Sequence, residues 1–183
     1  MSQVAISGNA SGTGTLTIAA PNTNSNYTLT LPANTGTLIS TASIFGGTGP
    51  AFSAYLSANQ SVSSGVVTKV AFNTEEFDTN NNFASSRFTP TVAGYYQINA
   101  CFGEGLSTAT MGFYIAIYKN GATIKTMQYV TASAWYTNAP ISSQVYLNGS
   151  TDYVEIYVNT SSAYTNTANQ FTNFFEGFLA RSA

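Results

Sequence analysis

The sequence of 183 residues contains no histidine and one cysteine, Cys101, and both shortages exclude chemistry. Without histidine the chain lacks the commonest general base, the base of a histidine-dependent serine triad and the usual nitrogen ligand of zinc. A single cysteine forms neither an intrachain disulfide nor a metal-binding cluster. Because Cys101 falls inside an expected strand, we interpret it as a small buried side chain rather than a reactive thiol. We therefore expect no enzymatic activity and no cofactor.

Charge is also scarce, with five basic and seven acidic residues and a formal net charge of −2. No run of cations is present to neutralise a series of phosphates, so we expect no binding to nucleic acid. The net charge offers no attraction to anionic membranes, and no stretch approaches the roughly 20 apolar residues of a membrane helix. The first residues lack the features of a signal peptide, which predicts synthesis in a cytoplasm without secretion by the usual route. The basic residues are Lys69, Arg87, Lys119, Lys125 and Arg181.

The most informative stretch runs from Phe77 to Phe102. Residues 78–82 are rich in turn formers, and residues 83–89 then predict a strand. Pro90 ends that strand, and residues 90–94 predict a second tight connection because proline cannot donate to a ladder. The following strand, residues 95–102, has one apolar face and one mixed face. The apolar face consists of Tyr96, Ile98, Ala100 and Phe102.

Short strands separated by turn signals continue through the rest of the chain, and no segment has a helical apolar period. The step Asn120-Gly121 is the strongest turn signal because Asn-Gly suits a two-residue hairpin. An acidic cluster at the start of the central stretch, Glu75, Glu76 and Asp78, is expected to be a solvated edge in a loop rather than a pair of catalytic carboxylates. The sequence therefore predicts an all-β sandwich. The other strands are expected at residues 51–57, 66–72, 112–119, 123–130, 141–147, 153–159 and 172–179.

A recognisable signature lies in this central stretch, formed by Phe88, Pro90, Gly94, Tyr96 and Ile98. It resembles the F-x-x-P/V-x-x-G-x-Y-x-F signature of the globular-head family of complement's first component, with Pro90 one place before the signature's P/V and Ile98 in place of the last aromatic residue. Two later stretches are similar to further motifs of that family. They are Asn148 to Val154, which resembles L-x-x-G-D-x-V with an insertion, and Phe175, Gly177 and Leu179, which resemble the closing F-x-G-x-L strand.

This resemblance, which covers about residues 50–183, implies a jelly-roll domain related to tumour necrosis factor and assembled as a homotrimer. It also implies that the last strand lies centrally in the inner sheet and that aromatic residues pack either in the core or at the trimer interface. Calcium binding by loop carboxylates is a weaker implication, with Asp78, Glu104 and Asp152 as candidates but no EF-hand spacing. The aromatic candidates are Tyr55, Tyr96, Tyr114, Phe174, Phe175 and Phe178.

Residues 1–49 have a different composition, rich in Gly, Ser, Thr and Asn, and the domain boundary is expected in the hinge-like residues 44–50. Residues 13–19 and 27–31 alternate apolar residues with threonine, which predicts strands that need a partner. Residues 28–41 resemble a phrase of bacteriophage tail-fibre and other virion proteins; the alternative is a flexible polar leader. The apolar residues of this attachment arm are Leu16, Ile18, Leu29, Leu31 and Leu38.

Together these features predict a bacteriophage virion protein whose N-terminal arm binds other virion proteins and whose trimeric knob adheres to the host surface. Trp135 and Tyr136 in one polar loop, and Tyr164 in another, form a possible surface for a host glycan; the alternative is that these rings pack back onto the sandwich. Two other functions remain open. One is a capsid decoration or cement protein that clamps shell subunits by strand addition, and the other is a non-viral lectin-like module.

Overall fold

The structure is a computed structural model that describes residues 11–13, 22, 24–26, 49–106, 110–131 and 136–183. The chain divides into two units, Met1–Leu38 and Ile39–Ala183. The described residues of the second unit form strands and contain no helix, which confirms the all-β prediction. In the described part of the chain, no helix is long and apolar enough to cross a membrane.

The strands follow one another at short intervals, and most connections are turns of a few residues. In chain order they are β1 (Ala51–Tyr55), β2 (Gln60–Val62), β3 (Thr68–Lys69), β4 (Thr74–Asp78), β5 (Phe83–Ala84), β6 (Arg87–Phe88), β7 (Ala93–Leu106), β8 (Met111–Lys119), β9 (Ala122–Thr131), β10 (Tyr136–Asn148), β11 (Val154–Thr160), β12 (Tyr164–Asn166) and β13 (Phe174–Ser182).

Two antiparallel sheets face each other across one core. The first has five strands in the order β10-β7-β13-β1-β4, and the second has the order β5-β6-β11-β8-β9, with β3 also paired to β11. A separate pair joins β12 to β2. The last strand, β13, lies in the middle of the five-stranded sheet, as the resemblance implied. Apart from the β5-β6 and β8-β9 hairpins, neighbours in the two sheets are not consecutive in sequence, which is the arrangement of a jelly roll.

Alternating side chains explain how the strands form this core. On β7, Tyr96, Ile98, Ala100 and Phe102 are buried, which confirms the apolar face expected for that strand. The strand is longer than residues 95–102 because it continues along β10 to Leu106. The opposite face of β7 is mixed and begins with a half-exposed tyrosine. Burial with a period of two places one side of the sheet in the core and the other side at the surface of the single chain.

An aromatic cluster centred on Phe52 fills the space between the sheets. The Phe52 ring centre lies 4.3 Å from that of Phe88, 4.9 Å from that of Phe83 and 4.8 Å from that of Phe175. The first two rings stack on Phe52, and Phe175 meets it edge-on. Aromatic pairs with these geometries contribute about 0.5–1.5 kcal/mol beyond their buried area. The cluster joins β1, β5, β6 and β13, which belong to both sheets.

Two turns that the sequence predicted have the expected chemistry. Asn120 and Gly121 connect β8 to β9 with φ angles of 52° and 80°, as a two-residue hairpin of this kind requires. In the turn at residues 79–82, Asp78 accepts from the backbone N–H groups of Asn80 at 3.3 Å and Phe83 at 2.7 Å. Side-chain oxygens therefore replace missing backbone partners in the turn.

Several expected strands differ from the structure. The strand expected at residues 83–89 is two short strands, β5 and β6, because Ser85 and Ser86 adopt positive φ angles of 51° and 58° and reverse the chain between them. The strand expected at residues 66–72 is reduced to β3, since Val66 and Val67 are exposed and lie outside the ladder. Strands β2, β4 and β12 were not predicted.

The acidic cluster lies at a solvated edge, as expected, but on a strand. Glu75, Glu76 and Asp78 lie on β4 rather than in a loop. Strand β4 is the outermost strand beside β1, and its side chains are largely exposed. A solvated edge strand needs no apolar alternation, so its sequence resembles that of a loop.

The expected strands and the apolar residues of the attachment arm, Leu16, Ile18, Leu29, Leu31 and Leu38, lie outside the described residues. The boundary expected between residues 49 and 50 stays a prediction.

Candidate functional site

The outward face of the five-stranded sheet carries an unusual number of aromatic side chains. On β13, Phe175 and Gly177 point into the core, so Phe174 and Phe178 point outward. Cross-strand partners share a face, which places Tyr55 beside Phe174 and Tyr95 beside Tyr146. The tyrosine pair is in ring contact, with centres 5.4 Å apart. We call this surface the aromatic face, formed by Tyr55, Phe77, Tyr95, Tyr146, Phe174 and Phe178.

A polar row crosses the aromatic face and is bonded within itself. Ser142 Oγ donates to Asn99 Oδ1 at 2.7 Å, and Gln97 Nε2 donates to Ser142 Oγ at 2.8 Å. Asn99 Nδ2 continues the row to Glu176 Oε1 at 3.2 Å. Polar groups that already have partners lose less when a second surface covers them. The aromatic face is therefore suited to burial against another protein surface.

An apolar groove of about 400 Å³ lies at one edge of the aromatic face, where β9 meets β10. Met127, Tyr129, Pro140 and Phe174 contribute to its lining. The Tyr129 hydroxyl donates to the carbonyl oxygen of Pro140 and so joins the edges of the two sheets. Burial raises the pKa of Tyr129, which keeps this hydroxyl protonated and able to donate across the physiological range.

A second cluster lies on the outward side of the other sheet. Glu155, on β11, is almost fully buried, and its Oε1 accepts from Lys69 Nζ at 2.6 Å and from Arg87 Nε at 2.8 Å. Its Oε2 accepts from the Tyr157 hydroxyl at 3.2 Å. Burial alone would raise the pKa of Glu155, but the hydrogen bonds and charges of Lys69 and Arg87 outweigh it and hold that pKa below its ordinary value. We call Lys69, Arg87 and Glu155 the ion-pair cluster.

The described calcium candidates have other partners. Asp152 pairs with Lys119 Nζ at 2.7 Å and accepts from Asn120 Nδ2 at 2.7 Å; the hydrogen bond from Lys119 is the main reason that the pKa of Asp152 is lowered. Asp78 accepts a hydrogen bond from the backbone N–H of Phe83, at the end of the turn after β4, and Glu104 lies on β7. Among the described residues no group of three metal-ligating side chains is present. Asp78 and Asp152 thus each bond to a different turn.

The aromatic residues expected in the core or the interface fall into different environments. Tyr96 and Phe175 are buried in the core of the single chain, and burial raises the pKa of Tyr96 to about 12. Tyr55 and Phe174 are half-buried on the aromatic face, and Phe178 is 50% exposed there. The remaining candidate, Tyr114, is half-buried on β8 in the other sheet.

Of the three residues of the possible glycan surface, Tyr164 has a described side chain, and it follows the alternative of a ring packed back onto the sandwich. Tyr164 is 7% exposed and lies on β12, with its ring edge-on to Phe113 at 5.9 Å, so the prediction of an exposed loop residue is wrong. The short strand pairs with β2 and turns this tyrosine into the core. Trp135 lies outside the described residues, and Tyr136 is the first residue of β10.

The ion-pair cluster was not predicted, because its residues are distant in sequence. Lys69 and Arg87 were interpreted as isolated cations. Strand β3 pairs with β11 through Lys69 and Tyr157, and β6 pairs with β11 through Phe88 and Val154. Only this long-range pairing brings the two cations to one carboxylate.

Comparison with known proteins places the chain by its fold. No family model and no curated protein matches the sequence. Solved structures do match. They include murine APRIL at pH 5.0, with 13% identity and a TM-score of 0.55 over 72% of this chain and 98% of that chain. The structure of Eiger TNF from S. frugiperda has 9% identity and a TM-score of 0.52 over 74% and 93%.

A viral protein shares the same fold. The PRD1 vertex protein P5 has 14% identity and a TM-score of 0.50, over 70% of this chain and 93% of that chain. At sequence identities this low, the comparisons show a shared fold and no shared function. They confirm the prediction of an all-β jelly roll with the fold of the tumour necrosis factor structures.

Proposed function

We propose that this chain is a bacteriophage virion structural protein that displays a homotrimeric jelly-roll head for adhesion to the host surface. The observation that carries the proposal is the aromatic face, on which Phe77 and Phe178 are 51% and 50% exposed in the single chain. Exposed aromatic side chains gathered on one face of a sheet favour a protein interface there. Since the polar row is already bonded within itself, a covering surface leaves few polar groups unpaired.

The proposed occupant of the aromatic face is a second copy of the chain. A contact between two different patches of identical subunits generates a closed ring when the rotation closes. Closure after three copies agrees with the resemblance carried by Gly94, Tyr96 and Gly177. The apolar groove beside Tyr129 and Phe174 continues the aromatic face to the β9–β10 edge, so one copy offers both a broad face and an edge.

A place on the virion is supported by two independent likenesses. Residues 28–41 resemble a phrase of tail-fibre and other virion proteins. The fold is shared with a protein whose name places it at the vertex of PRD1. In this proposal residues 1–49 attach the chain to other virion proteins, and three heads per assembly bind weakly but together with high avidity. We propose a binding role rather than a catalytic one, since the chain contains no histidine to act as a general base.

Capsid decoration is the second candidate, and the name of the vertex protein favours it. In that case the head reinforces the shell, and strand addition by residues 1–49 supplies the functional contact. The two candidates differ in where the protein lies on the particle and in whether it has an external ligand.

Two measurements test the proposal. Sedimentation velocity of the full chain at micromolar concentration should give three times the mass of one chain, and a monomer there overturns the trimer. Immunogold electron microscopy of purified virions, with an antibody against this chain, should label the tail. Label over the head instead supports decoration, and particles without label contradict a virion protein of either kind.

A further inference from the structure

A groove of about 540 Å³, lined mostly by polar residues, lies beside the β5–β6 hairpin, on the side of the domain that carries the ion-pair cluster. Lys69 and Arg87 both line it, together with small polar side chains such as those of Asn81, Ser85 and Thr89. No carboxylate is among its described lining residues. The groove therefore gathers two of the five basic residues of a chain whose formal net charge is −2.

The ion-pair cluster fixes these cations and leaves one charge unbalanced. Lys69 and Arg87 donate to the same oxygen of Glu155, and Lys69 Nζ also donates to the carbonyl oxygen of Ser85 at 2.9 Å. One buried carboxylate neutralises only one of two cations. Because Glu155 stays ionised beneath them, the ion-pair cluster retains a single net positive charge at neutral pH.

Arg87 is positioned to use that charge. Its Nε is taken by Glu155, and its guanidinium carbon lies 3.8 Å from the centre of the Tyr153 ring, which holds the guanidinium in place. No described residue accepts from its terminal nitrogens. A guanidinium is a planar fork of five N–H donors that matches the two oxygens of a carboxylate. Because its orientation is set before a ligand arrives, binding costs less conformational entropy.

We propose that this groove binds a carboxylate-bearing sugar of an acidic polysaccharide, with the carboxylate on Arg87 and the sugar hydroxyls on neighbours such as Asn81 and Ser85. The inference rests on the proposed adhesive function and names the ligand class. One net positive charge matches a carboxylate better than a phosphate monoester, which carries about −1.5 to −2 at pH 7. Hydroxyl and amide side chains supply the donors and acceptors that sugar hydroxyls need. Three grooves per trimer multiply a weak single interaction.

The test uses the full chain and an array of oligosaccharides that contain galacturonate, glucuronate or sialic acid, each beside its carboxyl-reduced, neutral form. We expect binding to at least one acidic oligosaccharide, at least a tenfold weaker dissociation constant for its reduced form, and weaker binding at high salt. Equal binding of the acidic and reduced forms overturns the inference, as does the absence of binding to every acidic form.

Variants then locate the site. Arg87→Gln should weaken binding to the acidic oligosaccharide at least tenfold, whereas Lys125→Gln, which removes a cation from exposed β9, should leave it unchanged. If Arg87→Gln does not fold, Ala84→Glu takes its place, because it adds a carboxylate to the exposed lining of the groove without removing any member of the ion-pair cluster. If the groove variant that folds, Arg87→Gln or Ala84→Glu, binds the acidic oligosaccharide as tightly as the wild type, the inference is overturned.

The outcomes also separate this inference from the proposed function. If the chain binds a neutral oligosaccharide, and Arg87→Gln binds it as tightly as the wild type does, the adhesive function stands. The inference that the groove is the binding site is then overturned. Absence of binding to every oligosaccharide, together with immunogold label over the head, overturns both adhesion and the groove in favour of decoration.

Discussion

The side chain of Leu179 lies directly against Gly94 on the neighbouring strand. A Cβ atom placed on Gly94 would stand 2.6 Å from Leu179 Cδ1 and 2.4 Å from the carbonyl oxygen of Arg181. Both residues belong to motifs recognised in the sequence, Gly94 to the first signature and Leu179 to the closing strand. The two motifs are therefore two sides of one contact between β7 and β13, and their spacing reflects a packing requirement.

The first prediction concerns this contact. Gly94→Ala should lower the free energy of unfolding by about 1–3 kcal/mol, the usual cost of overpacking, because backbone as well as side-chain atoms occupy the space. Urea unfolding at a fixed protein concentration measures it. The matched control is Gly112→Ala, whose Cβ would be 3.6 Å from its nearest neighbour and which should change stability little. Equal stability of the two variants contradicts the prediction.

The second prediction concerns the aromatic face. Phe178→Ser should raise the dissociation constant of the trimer at least tenfold, because covering a half-exposed phenylalanine contributes about 1.5–3 kcal/mol at most. The fold of each subunit should survive, since the ring is 50% exposed. Sedimentation at several concentrations, with circular dichroism as the test of folding, measures both.

The control for that variant is Phe171→Ser, which removes a phenylalanine that is 79% exposed in the turn before β13 and outside the aromatic face. It should leave the dissociation constant unchanged. If both substitutions weaken the trimer equally, the effect comes from removing any exposed phenylalanine side chain. The aromatic face is then not the interface.

Much of the fold was predictable because its signals are local. Asn120-Gly121 defines a hairpin by itself, and the alternation from Tyr96 to Phe102 defines a buried face. The ion-pair cluster was not predictable in this way, because Lys69 and Arg87 meet only when β3 and β6 both pair with β11. Tyr164 shows the opposite failure, since its polar neighbours suggested a loop but pairing with β2 buries it. Local patterns thus predicted the strands better than the surfaces.

Asn173 is a further residue that the sequence did not single out, and it carries the third prediction. It is fully buried; its Oδ1 accepts from the backbone N–H of Gly103 at 2.9 Å, and its Nδ2 donates to the carbonyl oxygens of Thr167 and Asn169. Asn173→Ala should cost about 2–3 kcal/mol, because each buried group left without a partner costs about 1–3 kcal/mol. Thermal and urea unfolding measure this loss.

An exposed asparagine provides the comparison for that variant. Asn138, on β10, is exposed, so Asn138→Ala should stay within about 0.5 kcal/mol of the wild type. A similar small effect for Asn173→Ala would mean that water replaces the lost hydrogen bonds and that the loop before β13 opens easily.

The last prediction follows from the lowered pKa of Glu155. A carboxyl whose pKa is lower in the folded than in the unfolded state stabilises the fold above its unfolded value, about 4.3, and loses that contribution as the pH falls through its folded value. Glu155→Gln should therefore lower the free energy of unfolding by about 2–3 kcal/mol at pH 7. This loss is smaller than that for breaking a fully buried ion pair, because Lys69 and Arg87 are partly exposed.

The pH dependence distinguishes this mechanism from a simple loss of packing. As the pH falls below the unfolded value of about 4.3, the unfolded chain binds a proton at this carboxyl before the folded chain does, so the difference in unfolding free energy between the wild type and Glu155→Gln should shrink. Some acid sensitivity should remain in the variant, because the pKa of Asp152 is lowered as well. Glu75→Gln, which removes an exposed carboxyl from β4, should follow the wild type throughout. A difference that stays constant from pH 7 to pH 3 contradicts the electrostatic explanation, because packing does not depend on the ionisation of this carboxyl.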